Sequence, residues 1–295
     1  MKRLFATLYA PMFLAGFLAC AIALIGGTGL SSWWLLGFFL CALLVSFLAE
    51  HLLPYEPCWN RDQGDSGRDV AHALVNEACN AASLLMLPGL VALLSFEGIW
   101  PIDWPLSAQL LLAMFIADAG VSLTHYASHQ VPWMWRLHAV HHSVERLYGF
   151  NGLMKHPLHQ MLEAAVGFLP LILLGVPMEV AVLLAFAISL QLLLQHSNVD
   201  MRPGLLSYVF AWAPVHRLHH MKYGVAGNVN FGLFFNLWDR LLGTALLNPA
   251  YEIRHGDLGI GNRADFPKGY VDQLLDPFRP EQLGEDPAVP EGLRR

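Results

Sequence analysis

Long apolar runs constrain this chain more than any other feature, because about 20 mostly apolar residues suffice to cross a bilayer as a helix. Residues 4–25 and 30–49 are two such runs, joined by the short Gly26-Gly27-Thr28-Gly29 turn. Residues 162–176 and 178–194 form a second tight pair, turning at Gly175-Val176-Pro177. Segments 82–96 and 106–123 are weaker, interrupted by Pro88, Asp118 and small residues, so the reading is four to six spans. Composition agrees: 55% of the 295 residues are hydrophobic and 14% charged, against about a quarter charged in soluble domains. An all-α, multi-span membrane protein is expected. Met1-Lys2-Arg3 and the run behind it look like a signal peptide, but the run is long for one and a second span follows at once. The first helix is expected to be retained.

Charge sets the orientation. On the six-span reading the loops 26–30, 97–105 and 175–178 hold no Lys or Arg, so all 17 basic residues share the side of the N-terminus. The excess of Lys and Arg makes that side cytoplasmic, in a bacterial cytoplasmic membrane or the endoplasmic reticulum. All fourteen histidines also fall on that face or at the mouth of a helix there. A cytosolic, histidine-rich helical cap is therefore expected over the spans. Net charge is −6 with no long basic run, which argues against a nucleic-acid partner. Cys20, Cys41, Cys58 and Cys79 form no C-x-x-C pair, so free thiols are expected rather than a disulfide framework.

Three segments follow. Residues 1–68 read as a transmembrane hairpin with a cytosolic linker, and 69–247 as the membrane domain that carries the histidines. Residues 248–295, rich in Pro, Gly and charge, read as a cytosolic tail with little regular structure. Residues 231–242 have apolar residues at helical spacing, suited to an interfacial helix or to a lid on a cytoplasmic core.

Three histidine clusters carry the chemistry: His125-x3-His129, His138-x2-His141-His142 and His216-x2-His219-His220. At this histidine content an H-x2-H-H is expected by chance about 0.03 times in such a chain. On a helix, positions i, i+3 and i+4 share a face, so each cluster points two or three imidazoles one way. Neutral imidazole is the common nitrogen ligand of Zn, Cu, Fe and Ni. One zinc-type ion takes three or four ligands, so eight clustered rings, with His196 as a ninth, suit two metals. Glu145 and Glu163 are the glutamates between 98 and 178, which leaves little for carboxylate bridging.

His156 is a further candidate ligand, and Asn198 or Asp200 could supply an oxygen or orient a ring. His51, His72, His159 and His255 read as ordinary polar residues, with His72 placed to pair with Asp69 one turn earlier. Asp118 lies in an apolar stretch two turns before His125, where an ionisable group needs a partner, so a supporting role is expected.

Taken together these residues resemble the fatty acid hydroxylase / sterol desaturase superfamily of membrane di-iron enzymes, over roughly residues 69–245. The likeness rests on His125-x3-His129, Pro132-x2-Trp135-Arg136-x-His138-x2-His141-His142-Ser143, Lys155-His156-Pro157 and His196-Ser197-Asn198. It continues through Pro214-x-His216-Arg217-x-His219-His220, Asn230-Phe231-Gly232 and Trp238-Asp239-Arg240-Leu241-Leu242-Gly243-Thr244. The resemblance implies a histidine-ligated pair of irons on the cytosolic face and O2-dependent hydroxylation or desaturation of a lipid C–H bond. No His-Pro-Gly-Gly segment marks a fused cytochrome b5 domain.

Unactivated C–H bonds are beyond side-chain acids and bases, so a metal must do the hard step. The lipid is expected to reach it from the bilayer, with Tyr126, Trp133, Trp135, Tyr148 and Phe150 as candidate lining residues. No strand-associated G-x-G-x-x-G offers a nicotinamide or flavin site, so electrons must come from a separate reductase with ferredoxin or cytochrome b5. Arg136, Arg146 and Lys222 could steer an acidic carrier. The alternatives are a histidine-lined metal transporter, whose ligands should spread through membrane depth, a bis-histidine haem carrier, and a zinc-dependent lipid hydrolase.

Overall fold

Helices α1 (Lys2–Gly27) and α2 (Trp34–Leu52) form the first hairpin of a computed structural model that describes residues 2–27, 31–96 and 98–294. Thr28 and Gly29 of the expected turn lie outside those residues. Then come α3 (Ser66–Leu94), α4 (Leu106–Gln130), α5 (Pro132–His142), α6 (Pro157–Leu173) and α7 (Met178–His196). Five of these, α1, α2, α3, α4 and α7, are long and apolar enough to cross a membrane. The chain is a multi-span, all-helical membrane protein, and five lies within the expected four to six. At 17 residues, α6 reaches only about 25 Å at 1.5 Å per residue, short of a hydrocarbon core of about 30 Å.

Helix α7 is the axis of the bundle. It is apolar on every side, with Ala181, Leu183, Leu184, Ala187, Leu190 and Leu193 fully buried, as a helix surrounded by other helices must be. Helices α4 and α6 touch backbone to backbone: a Cβ on Gly120 would lie 2.7 Å from the Val166 carbonyl oxygen and 2.8 Å from the Gly167 Cα. Small residues at such a crossing permit the close approach that packs membrane helices. Here it sets the histidines of α4 beside α6. Helix α3 begins well before the apolar segment 82–96, since its polar first half packs on the cap and buries Asp69, His72 and Asn76.

The cap joins α5 to the irregular stretch 197–236, which carries α8 (Ala213–His216), and to α9 (Leu237–Leu242). Residues 231–236 do not continue α9 backwards, as the helical spacing of 231–242 suggests. Their amides are taken by carboxylates: Leu233 and Phe234 donate to Asp118, and Phe231 and Gly232 to Asp239. Those bonds compete with a helical ladder and win.

The tail is irregular apart from short helical turns such as α10 (Tyr270–Leu275), but it is not loose. Its Ile253, Leu258, Phe266 and Leu293 complete an apolar core with Trp59, Val140, Leu147 and Met154 of the cap. Apolar anchors spaced without period do this, which is why a reading by periodicity misses them.

Candidate metal centre

Nine rings converge at the cap end of the bundle, in two groups. His125, His129, His138, His142 and His219 form one; His141, His196, His216 and His220 form the other. Within each group one nitrogen per ring lies within 4.8 Å of all the others. Eight of the nine side chains are buried and His129 is half-buried. These are the eight rings singled out by spacing together with His196, but each H-x2-H-H divides between the groups. The i, i+4 pair His138 and His142 faces one group and His141 faces the other; His216 and His220 pair in the second group while His219 crosses to the first.

Hydrogen bonds on the outer nitrogens fix which nitrogen faces inward. Nδ1–H of His125 donates to the Phe231 carbonyl at 2.9 Å, and Nδ1–H of His219 to the Val229 carbonyl at 2.7 Å. A neutral imidazole has one N–H, so both Nε2 atoms carry bare lone pairs, and they lie 2.8 Å apart. The second group repeats this. His141 and His196 donate Nδ1–H to the carbonyls of Met154 and Leu192, and their bare Nε2 atoms are 3.2 Å apart. Two lone pairs at such distances, with no proton between them, repel; a shared cation turns the repulsion into ligation. The donor sets therefore fit metal ions. No aspartate or glutamate joins either group among the described residues.

Burial keeps the cap rings neutral: His138, His141, His142, His216, His219 and His220 all have pKa values well below the usual imidazole range because desolvation penalises the cation.

The remaining candidates lie outside both groups. His156 accepts from the Leu158 amide and turns its Nε2 to the Leu274 carbonyl of the tail. Asn198 binds Glu56 and Asn60, and Asp200 pairs with Arg202. Asp118 touches no histidine; it holds the loop whose Phe231 carbonyl orients His125. His72 does not pair with Asp69. It meets the Lys155 carbonyl and Gln273, while Asp69 binds Arg68 and Tyr148. Trp135 packs on His129 and His142, and Tyr126 on Phe231. Phe150 lies beside Phe47, and Trp133 is exposed. Arg146 is sealed against Asp65 and the Trp59 carbonyl, so it is not a surface cation for a carrier.

His159 is the residue that spacing undervalued. Its ring is fully buried, 4.4 Å from that of His138, and Nε2–H donates to Ser128, whose own hydroxyl donates to the Thr124 carbonyl. Nδ1 is left without a hydrogen bond, 3.8 Å from Glu163, and Glu163 binds Lys155 at 2.5 Å. An i, i+4 His–Glu pair inside an apolar helix was the available signal.

The fatty acid hydroxylase family profile matches residues 110–244. The chain is 35% identical over 267 residues to an ornithine lipid hydroxylase of Rhizobium tropici, covering 86% of this chain and 80% of that one. It is 26% identical over 189 residues to alkylglycerol monooxygenase of Danio rerio, covering 60% of this chain and 42% of the relative. Identity is also 26% over 142 residues with sphinganine C4-monooxygenase 1 of Arabidopsis thaliana, covering 47% and 54%. No solved structure matches.

Proposed function

The chain belongs to the fatty acid hydroxylase family, and from that premise we propose that it hydroxylates an unactivated C–H bond of a membrane lipid, using O2 and two irons at the cytoplasmic face. The observation that carries this reading is the pair of imidazole groups whose bare nitrogens face each other. His125, His129, His138, His142 and His219 would hold one iron, and His141, His196, His216 and His220 the other. Bound there, iron supplies the redox chemistry with O2 that side chains lack.

The chain's own residues do the rest. Carbonyls of Phe231, Val229, Met154 and Leu192 fix ring orientation, which raises ligand basicity and holds the geometry ready. The packed cap excludes water from the rings, which would keep solvent from the chemistry of a bound metal. Electrons come from a separate carrier of ferredoxin or cytochrome b5 type with its reductase. A lipid with an ornithine-type headgroup is the first substrate to test, since the relative of Rhizobium tropici is named for one. A transporter is disfavoured because the rings gather at one end of the bundle rather than along the spans.

The test is lipid mass spectrometry of aerated cells carrying the intact protein or His141→Ala. A lipid gaining one oxygen only with the intact protein is the expected result. Identical lipid profiles would sink the activity.

A further inference from the structure

Outside the matched region, α1 and one residue of α2 form an open groove of about 550 Å³, lined by Leu4, Leu8, Tyr9, Met12 and Phe17 of α1 and Val45 of α2, among others. That volume is in the range of small-molecule sites. Its floor is an i, i+4 ladder of rings, Phe5–Tyr9–Phe13–Phe17, with centroids 5.8, 5.5 and 5.1 Å apart. Both helices are spans by length and composition, so what reaches the groove is hydrocarbon. At one end lie Lys2 and Arg3. These cations suit an anionic or zwitterionic headgroup at the interface.

Tyr9 makes this more than a lipid-facing surface. Its side chain is buried, yet its hydroxyl has no hydrogen bond and is directed at Ser46 and Ser197. Ser197 follows His196 of the second histidine group. Tyr9 thus lines the groove with its ring and reaches with its hydroxyl toward the residue that follows His196.

We propose that the α1–α2 groove binds the acyl chain of the lipid substrate, with Tyr9 closing it off from the second histidine group. The proposal rests on the hydroxylase reading above. It is tested with the full chain in nanodiscs of phosphatidylethanolamine and phosphatidylglycerol, doped with a diazirine-bearing phosphatidylethanolamine. Photolabelling of residues 4–17 should fall about tenfold in Leu8→Trp, which fills the groove. Leu36→Trp, at an exposed site of α2 outside the groove, should leave labelling unchanged. Leu8→Trp should also raise KM for a long-chain substrate and spare kcat, whereas a misfolded centre would lower kcat. Labelling indifferent to Leu8→Trp would mean annular lipid and overturn the proposal. Labelling lost with KM unchanged would mean a resident lipid and overturn it equally. Failure of the hydroxylase reading shows separately, as unchanged lipid profiles between the intact protein and His141→Ala.

Discussion

The two histidine groups are alike in chemistry and differ in what holds them. The first hangs on one loop: the Asn228 side chain, the Val229 carbonyl and the Phe231 carbonyl take the outer nitrogens of His129, His219 and His125. That loop is pinned by polar side chains, with Asn230 bonded to Val215 and Leu246, and the next amides bonded to Asp239 and Asp118. Asn230 has φ 55°, a left-handed conformation that asparagine tolerates better than most residues. The second group hangs on packed backbone. His196 bonds a carbonyl of its own helix, His141 bonds Met154, and Gly152 is pressed against the His196 ring. The first group should therefore fail when an acceptor is removed, and the second when an atom is added.

The largest effect is expected from Gly152→Ala. The new Cβ would lie 2.6 Å from Nδ1 of His196 and still closer to the Leu192 carbonyl that orients it, and neither backbone nor a packed ring can give way. Metal analysis of the purified variant should show the second group empty and the first still loaded. Equal loss from both would erase the distinction drawn between them.

Asp118→Ala is the reciprocal case. The carboxylate accepts from the amides of Leu233 and Phe234 at 3.0 and 2.7 Å. Each buried donor left unpaired costs about 1–3 kcal/mol. Thermal unfolding should show a lower Tm, and metal loss should be confined to the first group. Asn228→Ala should do less, since it removes one acceptor from His129 alone; such outer contacts are worth roughly 10–100-fold in metal affinity. A second-group loss in either variant would show that the groups are coupled through the H-x2-H-H clusters they divide between them.

How much of this the sequence discloses depends on periodicity. Helices α1, α2 and α7 are long apolar runs, and eight of the nine rings are bunched at helical spacing, so both are legible. The partition of each H-x2-H-H is not, because it depends on how α5 and the turn after α8 face each other. His141 lies in sequence between His138 and His142, which both belong to the other group. Asp118 and Asp239 are recognisable as ionisable groups in apolar company, but their partners are backbone amides more than a hundred residues away in one case and eight in the other. The tail was legible only as irregular. Gln273, fully buried between His72 and Ser143, belongs to no repeating pattern.

The smallest expected effect is one in which the two groups should not differ at all. Three cap rings in each group have pKa values held well below the ordinary imidazole value of about 6.5 by burial. The unfolded chain, with ordinary imidazoles, binds more protons as pH drops. Stability of the metal-free protein is thus retained above about 6.5 and lost as pH falls through the folded-state values, by up to about 1.4 kcal/mol per pH unit for each ring. Metal uptake ordinarily displaces protons from its ligands. Here the rings are neutral before the ion arrives, so calorimetric titration with Fe2+ near neutral pH, repeated in buffers of different ionisation enthalpy, should detect almost no proton release from either group. Release of about one proton per ion would mean that solvent reaches the rings of the metal-free cap, and release from one group alone would identify which of the two supports, loop or packed helix, had opened.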